Sequence, residues 1–290
     1  MMDEHHSGTA ALVMVAALGA TMGIYARELA VNLNVVEQVA LRSAIGALIL
    51  YGAMHRRIDL GKLTSAPRRE IALITCRALS IYGLAICLGT VAFVHGKFTS
   101  VAIVLSLPVP AMMGILLFHE RIGLRNALLV FLAFTGVVLT IWAGSDTGTR
   151  IDWPLLAALA SAVFMSFGIL AQRLQSGHFN VMETTFLMIA VAAVALTVVV
   201  AGSWMWTATV PQLSWALLGL ACAAGATSVS FMLLSNYGVP RVTGVVVNNT
   251  LALQPVFAAG IGALLYADRI GPFEATGAGL ILISILLLKK

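Results

Sequence analysis

The sequence predicts an all-α integral membrane protein of ten transmembrane helices, arranged as two inverted five-helix repeats. Three observations predict it. First, only 10% of the 290 residues are charged and 60% are hydrophobic, with a mean hydropathy of +0.98. A soluble domain carries about 25% charged residues, so water cannot solvate this surface and lipid must cover most of it. Second, the apolar residues fall into ten segments of about 20, the length at which a helix crosses the hydrocarbon core. Third, the chain repeats itself at an offset near 146 residues.

The segments are 8–26, 35–54, 70–94, 98–118, 124–143, 153–174, 181–203, 213–236, 243–266 and 273–288. They read as helices because a helix satisfies every backbone polar group within itself. None shows the alternation of a membrane β-barrel strand. The start, Met1-Met2-Asp3-Glu4-His5-His6, is acidic and lacks the basic region of a signal peptide, so the first segment is expected to be retained. His5 and His6 read as a solvated tail rather than a metal site. Cys76, Cys87 and Cys222 lie singly inside apolar segments, which points to packing and away from disulfide or metal use.

The formal net charge of +5 would suggest nucleic acid in a soluble protein. Here the bases flank apolar segments and set topology instead. With the N-terminus inside, the inner loops hold Arg56, Arg57, Lys62, Arg68, Arg69, Arg121, Arg125, Arg173, Arg241, Lys289 and Lys290. The outer loops hold Arg27, Lys97, Arg150 and Arg269, while Arg42 and Arg77 fall within segments. Eleven against four predicts a multi-pass protein of the cytoplasmic membrane with both termini cytoplasmic.

The repeat rests on three matches in the same order. Leu33-Asn34-Val35-Val36-Glu37 pairs with Phe179-Asn180-Val181-Met182-Glu183 at offset 146. Gly23-Ile24-Tyr25-Ala26 pairs with Gly168-Ile169-Leu170-Ala171 at 145, and Glu120-Arg121-Ile122-Gly123 with Asp268-Arg269-Ile270-Gly271 at 148. The repeats cover 7–143 and 153–288. Five segments per half is an odd number, so the second half must enter the membrane from the opposite side. Inverted repeats of this kind are the plan of many secondary transporters.

In each half an intramembrane proline is followed by about a dozen apolar residues, an acid–Arg pair and a Gly-bearing helix. Leu107-Pro108-Val109 leads to Glu120-Arg121-Ile122, and Gln254-Pro255-Val256-Phe257 leads to Asp268-Arg269-Ile270. Over nearly the whole chain this pattern resembles the EamA-type carriers of the drug/metabolite transporter superfamily, among them bacterial exporters of amino acids and related metabolites. Arg42 resembles a recurrent arginine of the second helix. Asp268 departs from the usual Glu, and Met188 stands where a second-half counterpart of Arg42 falls. The resemblance implies a central cavity lined by segments 1, 3, 4, 6, 8 and 9.

Pro108, Pro110 and Pro255 each remove a backbone donor near mid-membrane and read as kinks or hinges, facing either a path or a packed seam. Asn248, Asn249, Thr250 and Gln254 are the densest polar cluster inside a segment, suited to substrate contact or to interhelical hydrogen bonds. Arg77 and Arg42 are candidates to hold a substrate carboxylate, or to be structural; Glu37 is a possible partner for Arg42. Tyr82, Phe164 and Phe231 offer aromatic faces near mid-depth, and Thr21, Tyr25, Ser161, Thr227 and Ser228 offer hydroxyls on the expected cavity segments. Asn34 with Glu37, and Asn180 with Glu183, have the spacing of reciprocal helix caps. Glu120 and Asp268 read as loop clamps at two gates. Trp153, Trp204, Trp206 and Trp215 read as interfacial anchors.

No zinc-protease, P-loop or nucleophile-elbow motif occurs, so an ATP-driven pump or an intramembrane enzyme is disfavoured, as is a receptor without a soluble domain. No acidic residue lies near mid-membrane. The expectation is a secondary transporter, not an enzyme, that exports small metabolites, amino acids foremost, by alternating access. The alternative is an importer or an organic-cation carrier of the same superfamily. No cofactor, metal or nucleic acid is expected, and the partners are a small-molecule substrate and the bilayer, with the chain a monomer or weak oligomer.

Overall fold

The computed structural model describes residues 2–107, 109, 113, 123–143, 152–207, 211, 214–242, 244–251, 253–268 and 271–287. Among these the regular elements are helices, with no strand. The chain runs through α1 (Met2–Leu29), α2 (Val35–Met54), α3 (Arg68–His95), α4 (Phe98–Leu105), α5 (Leu124–Ala143), α6 (Trp153–Leu170), α7 (Val181–Thr207), α8 (Trp215–Gly238), α9 (Gly244–Leu251), α10 (Gln254–Tyr266) and α11 (Pro272–Leu287). Six helical stretches are long and apolar enough to cross a membrane: His6–Leu29, Val35–Arg57, Arg68–His95, Trp153–Leu170, Val181–Trp206 and Trp215–Arg241. Of the fourth predicted segment, residues 98–107, 109 and 113 are described, and α4 ends at Leu105.

Local chemistry sets the boundaries. Asn34 Oδ1 accepts the Glu37 N–H at 3.0 Å and Glu37 Oε2 accepts the Asn34 N–H at 2.8 Å, the reciprocal cap its spacing predicts. Asn180 and Glu183 repeat it at the start of α7, at 2.8 and 2.7 Å. Helical backbone begins at Met2, well ahead of the predicted residue 8. The ninth predicted segment is two helices, not one. Pro255 sits in the first turn of α10, where its ring cannot continue the ladder from α9. The Leu253 N–H bonds the Thr250 carbonyl at 3.1 Å, a tighter three-residue turn.

Burial follows the logic of lipid. Large apolar side chains face outward, among them Leu48, Val194, Met205, Trp206 and Trp215. Polar ones, including Glu37, Arg42, Arg77, Ser161 and Asn236, are buried. A charged group facing hydrocarbon is costly, so such residues turn into the bundle. Close approach relies on small residues. A Cβ on Gly225 of α8 would lie 3.0 Å from the Arg42 carbonyl of α2, and one on Gly136 of α5 would lie 2.6 Å from the Gly277 carbonyl of α11.

α2 and α7 are tied at both ends. Trp204 Nε1, late in α7, donates to Glu37 Oε1 at the start of α2 at 2.6 Å. Lys62, beyond the end of α2, reaches Glu183 Oε1 at the start of α7 at 2.9 Å, and the Asp59 N–H adds a bond to the same oxygen at 3.2 Å. The two helices therefore run antiparallel, and these ties define an Arg27 face and a Lys62 face of the bundle.

Candidate functional site

A central cavity of about 150 Å³ opens among α1, α2, α3, α4, α6, α8, α9 and α10. Its apolar wall includes Met22, Phe93, Leu105, Leu107, Met165 and Phe231. Its polar wall includes Arg42, Tyr82, Thr90, Ser106, Ser161, Ser166, Ser228 and Gln254. Two helices present it most fully. On α6, residues 161, 162, 165, 166 and 169 recur at helical spacing and form one stripe. On α3, Tyr82, Ala85, Gly89 and Phe93 do the same.

The middle of α3, Leu79–Ile86, is π-helical. Such a turn re-registers the backbone bonds and recurs at functional sites. Here it carries Tyr82 and is stitched to α6. Ser80 Oγ donates to the Phe164 carbonyl at 2.8 Å, and Ser161 Oγ donates to the Ala85 carbonyl at 2.6 Å. Ser166 Oγ donates to the Ala162 carbonyl at 2.6 Å and Ser106 Oγ to the Ile103 carbonyl at 2.7 Å. The three wall serines 106, 161 and 166 thus spend their protons on backbone.

Arg42 is 3% exposed and lines the cavity. Among the described residues its one hydrogen-bond partner is Thr90 Oγ1, at 3.4 Å. Glu37, considered as its partner from the sequence, is instead held by Asn34 and Trp204. Tyr82 is 1% exposed, and its hydroxyl has no partner among the described residues.

The sequence candidates separate. Tyr82, Ser228 and Gln254 lie on the cavity wall, with the Gln254 amide against Gly19, where a Cβ would meet it at 3.1 Å. Arg77 does not line it. Arg77 Nε donates to the Gly168 carbonyl at 2.8 Å and Nη1 to Gln175 Oε1 at 2.6 Å; Nη2 reaches Asn236 Oδ1 at 3.1 Å and Gln172 Oε1 at 3.4 Å. Four neutral acceptors on and beyond α6 and on α8 occupy it. Phe164 is off the wall, its carbonyl taken by Ser80. Thr227 is off it too, its hydroxyl donating to the Ala223 carbonyl at 2.8 Å and lying 3.2 Å from Tyr25 Oη. Pro255 is buried beside Gln254 in the first turn of α10. Pro108, Pro110, Glu120 and the side chains of Asn248 and Asn249 lie outside the described residues.

Sequence reasoning offered Arg42 and Arg77 for the same role and left α2 off the cavity. Thr90 and Ser166 were also missed, although both fall on the helical stripes that carry Tyr82 and Ser161. Among the described residues, no cluster of three or more His, Cys, Asp or Glu is placed to hold a metal ion, and the three cysteines are free.

On the Arg27 face a cap of polar and ring contacts lies next to the lining residues Ala26 and Phe93. Arg27, in the last turn of α1, donates from Nε to the Phe93 carbonyl at 2.8 Å and from Nη2 to the Gly96 carbonyl at 2.7 Å. Its guanidinium lies 4.3 Å from the Tyr266 ring centre and 5.3 Å from that of Phe98. Asp268 Oδ2 accepts from the Thr99 N–H at 3.0 Å and from Thr99 Oγ1 at 3.1 Å. Ala267 supplies the reversal that aims Asp268 there, at φ 51°, a left-handed conformation that strains an alanine. The cap joins α1, α3, α4 and α10.

Residues 152–289 match the model of the EamA-like transporter family, a stretch that contains the whole second predicted repeat. The match supports a multi-pass membrane transporter of the drug/metabolite transporter superfamily. No curated protein matches the chain. A solved crystal structure of a protein is similar at a TM-score of 0.65 and 17% identity, over 97% of this chain and 96% of its own. At that identity the likeness is one of fold.

Proposed function

We propose that the protein is a secondary transporter of the drug/metabolite transporter superfamily, a ten-crossing carrier built from two inverted EamA-like repeats, 7–143 and 153–288. It moves small metabolites, amino acids foremost, out across the cytoplasmic membrane by alternating access. The observation that carries this reading is the central cavity, walled by α1 to α4 from one half and by α6, α8, α9 and α10 from the other. A space between two halves is what a rocking carrier exposes to each side in turn. The antiparallel ties between α2 and α7 support the inversion, since equivalent caps sit at opposite ends of the bundle. The excess of Lys and Arg supports a cytoplasmic Lys62 face.

In this reading the Arg27 cap closes the outer side, and export requires its contacts to break. A buried arginine on the wall disfavours organic cations as cargo. The test is uptake of a labelled amino-acid panel into proteoliposomes. Saturable entry of at least one member above protein-free vesicles is the expected result. No entry of any member defeats the amino-acid assignment, and entry that never saturates defeats the carrier.

A further inference from the structure

We propose that Arg42 and Tyr82 form a carboxylate subsite on the cavity wall, and that the ligand is a small monocarboxylate with a short apolar tail. The proposal rests on reading the cavity as a carrier's substrate site, and it names the group that site recognises.

Among the described residues, the other buried arginine and the capping arginine set the comparison. Arg77 meets four acceptors at 2.6–3.4 Å, and Arg27 meets two carbonyls and two rings. Arg42 is as buried as Arg77 but reaches one hydroxyl, at 3.4 Å. Among the described residues its charge is felt by Tyr82 and Cys87, and no ion pair of Arg42 with a carboxylate is present there. A guanidinium has five donors and no acceptor. At this depth such a charge normally faces a partner or a pathway. The Tyr82 hydroxyl is a second buried group without a partner among the described residues, on the same wall.

Two polar groups on one wall, both able to donate, one reaching a single hydroxyl and the other without a partner among the described residues, call for a ligand group that only accepts. A carboxylate fits the guanidinium fork with two oxygens and leaves a lone pair for the phenol. Among the described lining residues Arg42 is the one cation, so a monoanion balances the site and a dianion does not. Ser106 and Ser161, also lining residues, have their protons taken by backbone carbonyls and so have only lone pairs left for a ligand, which suit an ammonium group as well as water. The rest of the wall is largely apolar, with Thr90, Ser166, Ser228 and Gln254 the other polar side chains on it. A cavity near 150 Å³ is the size that holds a benzene-sized group, so the tail is about four to six carbons.

Three probes of one shape separate the chemistry: L-leucine, isocaproate (the same skeleton without its amine) and isoamylamine (without its carboxylate). Each is titrated against full-length protein in detergent by thermal unfolding, and its flux is measured in proteoliposomes. Leucine or isocaproate should raise the wild-type Tm and isoamylamine should not. Arg42→Gln should weaken the response at least about 30-fold, Arg42→Lys less, because a point charge lacks the fork, and Tyr82→Phe about 5-fold. Without probe, Arg42→Gln should keep or raise the Tm, since it removes a poorly paired buried charge. A structural arginine would do the reverse.

The subsite is overturned if neither carboxylate shifts the wild type, if isoamylamine shifts it as leucine does, or if Arg42→Gln binds undiminished. Saturable flux that ignores Arg42→Gln removes the subsite and leaves the carrier. Carboxylate binding lost in Arg42→Gln, with no flux of any solute, keeps the subsite and sinks the carrier.

Discussion

Arg27→Ala should unlatch the cap on the cavity. The arginine holds the end of α1 against α3 through two carbonyl bonds at 2.8 and 2.7 Å, and against α4 and α10 through two rings. Hydrogen bonds to a charged group are worth about 1.5–3 kcal/mol each, and an exposed cation–π contact about 0.5–1. Two bonds sharing one guanidinium are not additive, so about 3 kcal/mol is a fair net figure. At about 1.4 kcal/mol per tenfold, the closed state loses roughly 100-fold in population relative to the open one. The assay is the labelling rate of Ser161→Cys on the cavity wall, with Cys76, Cys87 and Cys222 replaced. An impermeant maleimide is added to intact cells. Labelling should rise steeply with Arg27→Ala and only modestly with Arg27→Lys, which keeps the charge. An unchanged rate in Arg27→Ala would refute the cap as the barrier on that face.

Lys62→Cys should resist the same reagent on intact cells and react in inverted vesicles; strong labelling from outside reverses the proposed orientation. Arg77→Ala should lower the Tm in detergent by many degrees, because it strands the side-chain acceptors Gln172, Gln175 and Asn236 inside the bundle. Protein that survives should keep its apparent KM for transported solute, and a raised KM at normal Tm would return Arg77 to the substrate.

Six of the ten predicted segments show as long apolar helices, legible because lipid imposes a length, and the caps were legible because Asn34/Glu37 and Asn180/Glu183 carry their own spacing. The cavity helices were legible in part, through the resemblance. The different surroundings of Arg42 and Arg77 were not. Each lies within an apolar segment, and what separates them is Gln172, Gln175 and Asn236, which lie 95 to 159 positions beyond Arg77 in the chain. Helices that are apolar on nearly every side give little signal of which face turns inward, so α2 was not seen to supply a wall residue. The π-helical stretch was equally hidden. Leu79–Ile86 has no local mark of it, and the register is fixed by bonds to α6 such as Ser161 to Ala85. The break before α10 was half visible: Pro255 marked the place, while the sequence reading kept one kinked helix.

Trans-acceleration tests the central claim most directly. Proteoliposomes are loaded with the unlabelled form of whichever panel member enters fastest, and entry of its labelled form is timed. A carrier with one cavity that faces each side in turn reorients faster when loaded, so internal solute should accelerate entry and label should transiently accumulate above equilibrium. Entry that is indifferent to internal solute, and linear in external concentration, would contradict alternating access at the central cavity.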